Sequence, residues 1–351
     1  WLPKRFGKIW MNLKELSDLL GLSQTTVSRA LNGYPEVSEA TRLRVAKAAD
    51  DHNYRPNNLA RGLATGRAMA IGHVIPQTST HEMVNPIFGD FIGGAGETYS
   101  ANNYDMLLSL VPDVDEAQAY RQMAAKASVD GLILHGPKTN DDRIALVRSL
   151  GVPFVVHGRA SGITLPYHWV DVNNRRAFER ATDFLIQLGH RDIALLNGIE
   201  TMDFAQRRRA GFEAAMQAAD IPVRHDLMFS SEMTELYGYK IAMNLLDQPN
   251  RPTAFMVASL VSGMGVRRAL EDKGMKMGRD ASIVIHDDDL SYMPNGDTVP
   301  MFTATKSSVR EAGRLAAKML LNVIADPTLP TQELMLEAQL VVGQSTGPAR
   351  T

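Results

Sequence analysis

Apolar residues up to Asn53 fall into three short clusters at helical spacing, and beyond Ala68 they gather into short runs separated by longer amphipathic stretches. Leu13, Leu16, Leu19 and Leu20 lie on one helical face behind Asn12, a good N-cap. Gly21 stops that helix. Ser23 caps a second helix, from Gln24 to about Leu31, with Val27, Ala30 and Leu31 on its inner side, and Asn32-Gly33 ends it. Ser38 caps a third, running to about Asn53, with Leu43, Val45, Ala46 and Ala49 apolar. Three short helices, the first two joined by a tight glycine turn, predict a helix-turn-helix head.

The outer side of the second helix carries Gln24, Thr25, Thr26, Ser28 and Arg29. Short hydrogen-bonding side chains with one arginine suit a surface lying in the major groove. Gln pairs bidentately with adenine and Arg with the guanine acceptors. Thr26 and Ser28 can donate to phosphates, which positions a helix without reading sequence. The segment from Tyr54 to Ala64 has Pro56 at a favourable helix start, but Gly62 weakens it and two turns are marginal alone. A stretch that is helical only with outside support is what a switchable hinge needs.

In the body, strand-like runs at Met69–Ile75, Tyr104–Leu110, Gly131–Leu134 and Pro153–Val156 are followed, after a break, by Ile193–Leu196, Thr253–Ala258 and Ser282–Ile285. Helical patterns at Ala117–Lys126, Ala177–Leu188, Arg207–Ala219, Leu236–Leu246 and Val261–Lys273 lie between them. Such alternation predicts two α/β lobes with doubly wound parallel sheets. Ligands of open parallel sheets sit outside the carboxyl ends of the strands, so facing lobes place a site in the cleft.

Composition narrows the function. The 351 residues suit two or three domains, and with no cysteine there is no disulfide, thiolate metal site or Cys nucleophile. No apolar run approaches a membrane span. Trp1–Trp10 is basic but lacks an apolar signal core, so it reads as a leader ahead of Met11 and the chain as cytoplasmic. The net charge of −2 hides an asymmetry: residues 1–67 hold eleven Lys/Arg against six Asp/Glu, the rest 26 against 33. A basic head on an acidic body points to a polyanion partner for the head.

The run Leu13-Lys14-Glu15-Leu16-Ser17-Asp18-Leu19-Leu20-Gly21-Leu22-Ser23-Gln24-Thr25-Thr26-Val27-Ser28-Arg29-Ala30-Leu31-Asn32-Gly33, then Val37-Ser38 and Tyr54-Arg55-Pro56-Asn57, resembles the head of the lactose-repressor (LacI/GalR) family. The resemblance continues through Val129-Asp130-Gly131-Leu132-Ile133, Gly189-His190-Arg191-Asp192-Ile193, Arg208-Arg209-Ala210-Gly211-Phe212 and Asp287-Asp288, which look like the family's periplasmic-binding-protein-like core. It implies a ligand-responsive transcription regulator that binds pseudo-palindromic operator DNA as a homodimer, with no cofactor, metal or catalytic residue. Base reading would fall to Gln24, Thr25 and Arg29, with Asn32, Asn57 and Arg61 as further DNA contacts and Leu63 as a wedge in the minor groove. The implied layout is a head at 11–55, a hinge helix and linker at 56–67, an N-terminal lobe of 68–170 plus 306–333 and a C-terminal lobe of 171–305 plus 334–347.

In the cleft, the resemblance makes Arg208 a donor to ligand hydroxyls or a carboxylate and Asp287 an acceptor of sugar hydroxyls. Pro86 and Phe88 would line the near lobe, and Phe88 or Phe204 would offer an apolar wall to a pyranose ring. His135 and His157 each end an apolar run and read equally as cleft or loop histidines; Arg159 reads as a second ligand donor or a surface charge. Ser259-Leu260 stands where the family usually has Asn-Asp, which removes a carboxamide and a carboxylate from the cleft. The sequence is also similar to the α-glucoside-operon repressors of the family, making a sugar the expected effector. A purine, nucleoside or phosphosugar effector, and a sugar-binding protein without a regulatory role, remain the alternatives. An enzyme is disfavoured: there is no P-loop and no His-Glu-x-x-His, and Gly93-Gly94-Ala95-Gly96 lacks the preceding strand of a nucleotide site, so it reads as helix packing.

Overall fold

A computed structural model describes residues 11–31, 33–52, 54, 66–76, 85–112 and 115–350. The chain divides into two units, Trp1–Ala68 and Met69–Thr351. The expected hinge, and with it Asn32, Asn57, Arg61 and Leu63, lies outside the described residues.

The first unit contains α1 (Leu13–Leu20), α2 (Gln24–Leu31) and α3 (Glu39–Asp51). Asn12 and Glu15 form a reciprocal capping box on α1, and Gly21 closes it in the left-handed conformation at φ 64°. Ser23 Oγ accepts from Thr26 N at 3.0 Å, and Ser38 caps α3 through Thr41 N. Leu16, Leu20, Val27, Ala30, Val37, Val45 and Ala49 form the core. Three expected core residues lie outside it: Leu19 is 53% exposed, Leu43 66%, and Ala46 is exposed as well. Three short helices cover only a narrow stripe of one another, and Leu43, two residues before buried Val45, points to the far side of α3.

The second unit holds two six-stranded sheets. Its strands are β1 (Ala70–Pro76), β2 (Asp105–Val111), β3 (Gly131–His135), β4 (Phe154–His157), β5 (His168–Val172), β6 (Ile193–Asn197), β7 (Met228–Ser230), β8 (Ala254–Val257), β9 (Ser282–Asp287), β10 (Thr303–Lys306), β11 (Glu333–Leu336) and β12 (Gln339–Val341). The first sheet runs β11-β5-β4-β3-β1-β2 and the second β12-β10-β9-β8-β6-β7. All pairings are parallel except β10 with β12, so the second lobe carries one antiparallel edge. The helices are α4 (Pro86–Ala101), α5 (Glu116–Ala125), α6 (Asp142–Ser149), α7 (Asn174–Gln187), α8 (Asp203–Ala218), α9 (Glu235–Leu246), α10 (Leu260–Asp272) and α11 (Val309–Ala325).

The chain passes between the lobes after β5, after β10 and between β11 and β12. The switches expected at 170/171, 305/306 and 333/334 all fall inside strands, because these short strands complete sheets whose other members are remote in sequence. Helices cover both sheet faces. On β3, Leu132 and Leu134 pack towards α5 and α6, while Ile133 packs with Phe91 of α4. Period two therefore leaves His135 on the α4 side. The Gly93–Gly96 stretch packs as expected: a Cβ on Gly94 would lie 1.9 Å from Arg310 O of α11, and one on Gly313 would lie 2.1 Å from Phe91 O.

Candidate functional site

On the head, the α2 surface keeps the character read from its sequence. Gln24, Thr25 and Arg29 are exposed, and Thr26 and Ser28 are half-buried. Thr26 Oγ1 lies 2.8 Å from the Ser23 hydroxyl, so this group also belongs to the cap. Val27 and Ala30 hold the inner side of α2 against the core.

In the body a cavity of about 480 Å³ opens between the lobes. Pro86, Phe88, His135, His157 and Arg159 line it from the first lobe; Phe204, Arg208 and Ser259 line it from the second. Asp287 does not; its neighbour Asp288 does, with His286. The physical reason is alternation. Asp287 ends β9, and its carboxylate accepts from Asp289 N at 2.9 Å on the side away from the cavity. Asp288 stands on the His286 side, with Oδ1 3.5 Å from His286 Nε2.

The three successive arginines part company. Arg207 pairs with Asp203 at 2.6 Å and Asp171 at 2.9 Å, and Arg209 with Glu200 and Glu213. Arg208 turns inward and is 5% exposed. Its Nε donates to Asn174 Oδ1 and its Nη1 to Ala258 O, both at 2.8 Å. The guanidinium lies between the rings of Phe204 and Phe178, at 4.9 and 5.2 Å. Among the described residues Nη2 has no hydrogen-bond acceptor, and no carboxylate forms an ion pair with Arg208. Burial lowers its pKa to about 10, which leaves it charged at neutral pH. Burial pushes Asp288 up to about 7, with Arg208 opposing and Asp287 reinforcing the shift.

Other expected polar residues are already engaged. Arg159 donates to Asp171 Oδ2 at 2.8 Å and lies 4.9 Å over the Trp169 ring. Ser259 caps α10, its Oγ accepting from Ser262 N at 3.2 Å, so the residue that replaces the family's polar pair serves the backbone. Pro86 opens α4 behind the Asn85 cap, and this places Phe88 edge-on to His135 at 5.0 Å. Bonds between the lobes flank the cavity: Ser161 N and Oγ to Asp203 on one side, Ser291 N and Oγ to Asp90 on the other. Sequence reasoning missed Asn174 and Asp288. The alternation along β9 was the available signal for Asp288; Asn174, whose partner lies 34 residues away, carried none.

No group of three or more His, Cys, Asp or Glu among the described residues could hold a metal ion, and no helix there is long and apolar enough to cross a membrane. The arrangement instead supplies a charged fork, a carboxyl, an amide and an aromatic wall, the set that recognises a small polyhydroxylated molecule.

Two family models match the chain: "Bacterial regulatory proteins, lacI family" over residues 12–57 and "Periplasmic binding protein-like domain" over 182–346. The HTH-type transcriptional regulator AglR of Rhizobium meliloti (strain 1021) is 42% identical over 341 residues, covering 97% of this chain and 95% of the relative. Among solved structures, a transcriptional regulator CelR–cellobiose complex aligns with a TM-score of 0.70 at 27% identity, covering 95% of this chain and 99% of that one. The lac repressor dimer bound to operator and an anti-inducer aligns at 0.79 and 24% identity, covering 96% and 99%, and shares the fold.

Proposed function

This chain belongs to the lacI family of bacterial regulatory proteins, as a DNA-binding transcription regulator and not an enzyme, and we propose that a saccharide held between its lobes controls its grip on operator DNA. The observation that carries this reading is Arg208: a buried cation whose Nη2 has no acceptor among the described residues, near Asp288 and 4.9 Å from the centre of the Phe204 ring. Sugar hydroxyls both donate and accept, and a pyranose face is apolar, so such a ligand satisfies all three groups together. The cellobiose bound by a relative at 27% identity supports the saccharide class, and the resemblance to α-glucoside-operon repressors favours an α-glucoside.

In this reading the protein works in the cytoplasm as a homodimeric repressor. Gln24, Thr25 and Arg29 read bases, Thr26 and Ser28 hold phosphates, Asn32, Asn57 and Arg61 make further DNA contacts, and Leu63 of the folded hinge wedges the minor groove. The saccharide shifts the lobe equilibrium by its differential affinity for two arrangements and so releases DNA. The test is a thermal-shift screen of disaccharides, purine nucleosides and sugar phosphates, followed by release of operator fragments. A ligand that binds only the folded state raises its melting temperature. Stabilisation by nucleosides or sugar phosphates in the absence of any saccharide effect overturns the saccharide reading. Arg29→Ala should weaken operator binding by about 1–3 kcal/mol and relax preference at one base, with saccharide affinity unchanged.

A further inference from the structure

The cavity is bridged on both rims by bonds from one lobe to the other, and each carboxylate in these bridges also holds an arginine of its own lobe. On one rim the second lobe's Asp203, at the start of α8, accepts from Ser161 N at 2.9 Å and Ser161 Oγ at 3.2 Å. One turn further on, Arg207 reaches into the first lobe. Its Nη1 donates to Asp171 Oδ2 and its Nη2 to Ser161 Oγ, both at 2.9 Å. Its Nε stays with its own lobe, 2.6 Å from Asp203 Oδ2. Arg159, of the first lobe, donates to the same Asp171 oxygen at 2.8 Å. Four charges of alternating sign therefore stand in a row across the boundary: Arg159, Asp171, Arg207, Asp203. Asp171 is 6% exposed and Asp203 2%. On the other rim Ser291 N and Oγ, from the second lobe, donate to Asp90. Arg310, on α11 of the first lobe, pairs with that carboxylate at 3.3 Å.

Breaking a buried ion pair is costly chiefly because it leaves a charge alone. Here the row divides at its middle contact, Asp171 to Arg207, and no charge is left alone. Arg159–Asp171 goes with the first lobe and Arg207–Asp203 with the second, each a complete pair, and Asp90 keeps Arg310. The remaining bonds given up are uncharged donors that water can replace: Ser161 and Ser291 are exposed residues, and one backbone bond joins Asp203 N to Pro137 O at 3.0 Å. A permanent joint does not need Arg159. In the closed form Arg159 even opposes the bridge, because two guanidiniums crowd one oxygen.

We propose that Arg159, Asp171, Arg207 and Asp203 form a reversible latch between the lobes, divided so that the cavity opens and reseals without stranding a charge. The latch stands whichever small molecule the cavity takes, and its test needs none. Its two halves act in opposite senses. Loss of the second lobe's half frees the lobes. Loss of Arg159 makes Asp171 depend on Arg207 and holds them together.

Residue-resolved hydrogen exchange on the full chain, without operator or ligand, reads the latch at Ser291. That amide bonds Asp90 across the far rim and touches none of the altered side chains. Asp203→Asn with Arg207→Gln removes one neutral pair and leaves Arg159–Asp171 whole. The Ser291 amide should then exchange about tenfold faster or more, the effect of losing one hydrogen bond to a charged group. Arg159→Gln should slow the same amide about threefold. Arg209→Gln with Glu213→Gln is the control: an i, i+4 pair of the same helix whose partners all lie in the second lobe, it should leave Ser291 at the parental rate. Acceleration confined to residues 161 and 203, with Ser291 unchanged, marks a local contact and overturns the latch. Acceleration of Ser291 by Arg159→Gln overturns the division into neutral halves, and the proposal with it. If the double variant does not fold, Arg159→Gln decides alone: a slower Ser291 amide supports the latch, and an equal or faster one overturns it.

Discussion

The two lobes are built alike and face the cleft differently. Each is a six-stranded sheet with its first strands in the same relative order, and each closes on a short edge strand drawn from the chain's last crossing. Each also brings a helix pair together over glycines: Gly94 and Gly313 in the first, Gly238 and Gly265 in the second, where an added Cβ would lie 2.0 Å from the neighbouring backbone. The walls differ in charge. The first lobe offers Phe88, His135 and His157, neutral and aromatic, and its two nearby arginines are spent within the lobe, Arg159 on Asp171 and Arg143 on Asp141 and Glu116. The second offers Arg208 and Asp288, both buried and both ionisable. Shared architecture therefore fixes where the cleft lies, and a few side chains at strand ends and on α8 decide what enters it.

The comparison can be broken most severely at Arg208. Arg208→Ala removes a charged fork at the cavity, and hydrogen bonds to charged groups contribute about 1.5–3 kcal/mol each. Saccharide affinity should fall about a hundredfold or more while operator binding persists; calorimetric titration showing a loss under threefold would place recognition elsewhere. Next in size is the shared packing. Gly94→Ala and Gly265→Ala should each cost about 1–3 kcal/mol in urea unfolding, because an added methyl meets backbone and not a flexible side chain. A large effect in one lobe only would show that the likeness is superficial.

A finer test uses pH, to which the two walls should respond in opposite senses. His73 and His157 have folded pKa values near 3 and 4, below the unfolded value of 6.5, so their contribution is present above 6.5 and lost as pH falls towards 4. Asp288 is the reverse. Its folded value near 7 exceeds the unfolded 3.8, so the folded state holds the extra proton between these limits and stability declines as pH rises through them. Asp288→Asn should gain melting temperature relative to the parent as pH climbs from 4 to 7 and then level off. His157→Phe, which keeps the ring on Phe91, should shrink the loss below pH 6.5. Parallel profiles for both variants would refute the contrast. The smallest effect belongs to Asp287→Ala, expected to leave saccharide affinity within about twofold because its carboxylate serves the turn at Asp289. A loss exceeding that of Asp288→Ala would reverse the assignment along β9.

Much of the fold was legible because it is written locally. Caps at Asn12, Ser23 and Ser38 pair with residues three positions on, and strands such as β3 and β8 are continuous apolar runs because helices cover both their faces. Strands β5, β7, β10, β11 and β12 escaped because three to five residues do not establish a period. Their absence from the reading also misplaced the crossings between lobes. Eight of the nine cleft residues expected from sequence line the cavity, and two of these, Ser259 and Arg159, are occupied by the protein itself.

By itself, then, the sequence determined the capped helices, the alternation of strand and helix, the basic head on an acidic body, and the motifs of a lacI-type regulator. All of these depend on interactions within a few residues or on composition. Tertiary structure alone decided which of three arginines turns inward, which of two aspartates meets the cavity, and how Tyr99, His73 and His135 join into one chain. Arg208 finds Asn174 34 positions away and Ala258 50 away, and His73 finds His135 62 away. A helix phase or a strand register is set by the packing of remote elements, and the final rotation that aims a side chain is a property of that packing, not of its neighbours in sequence.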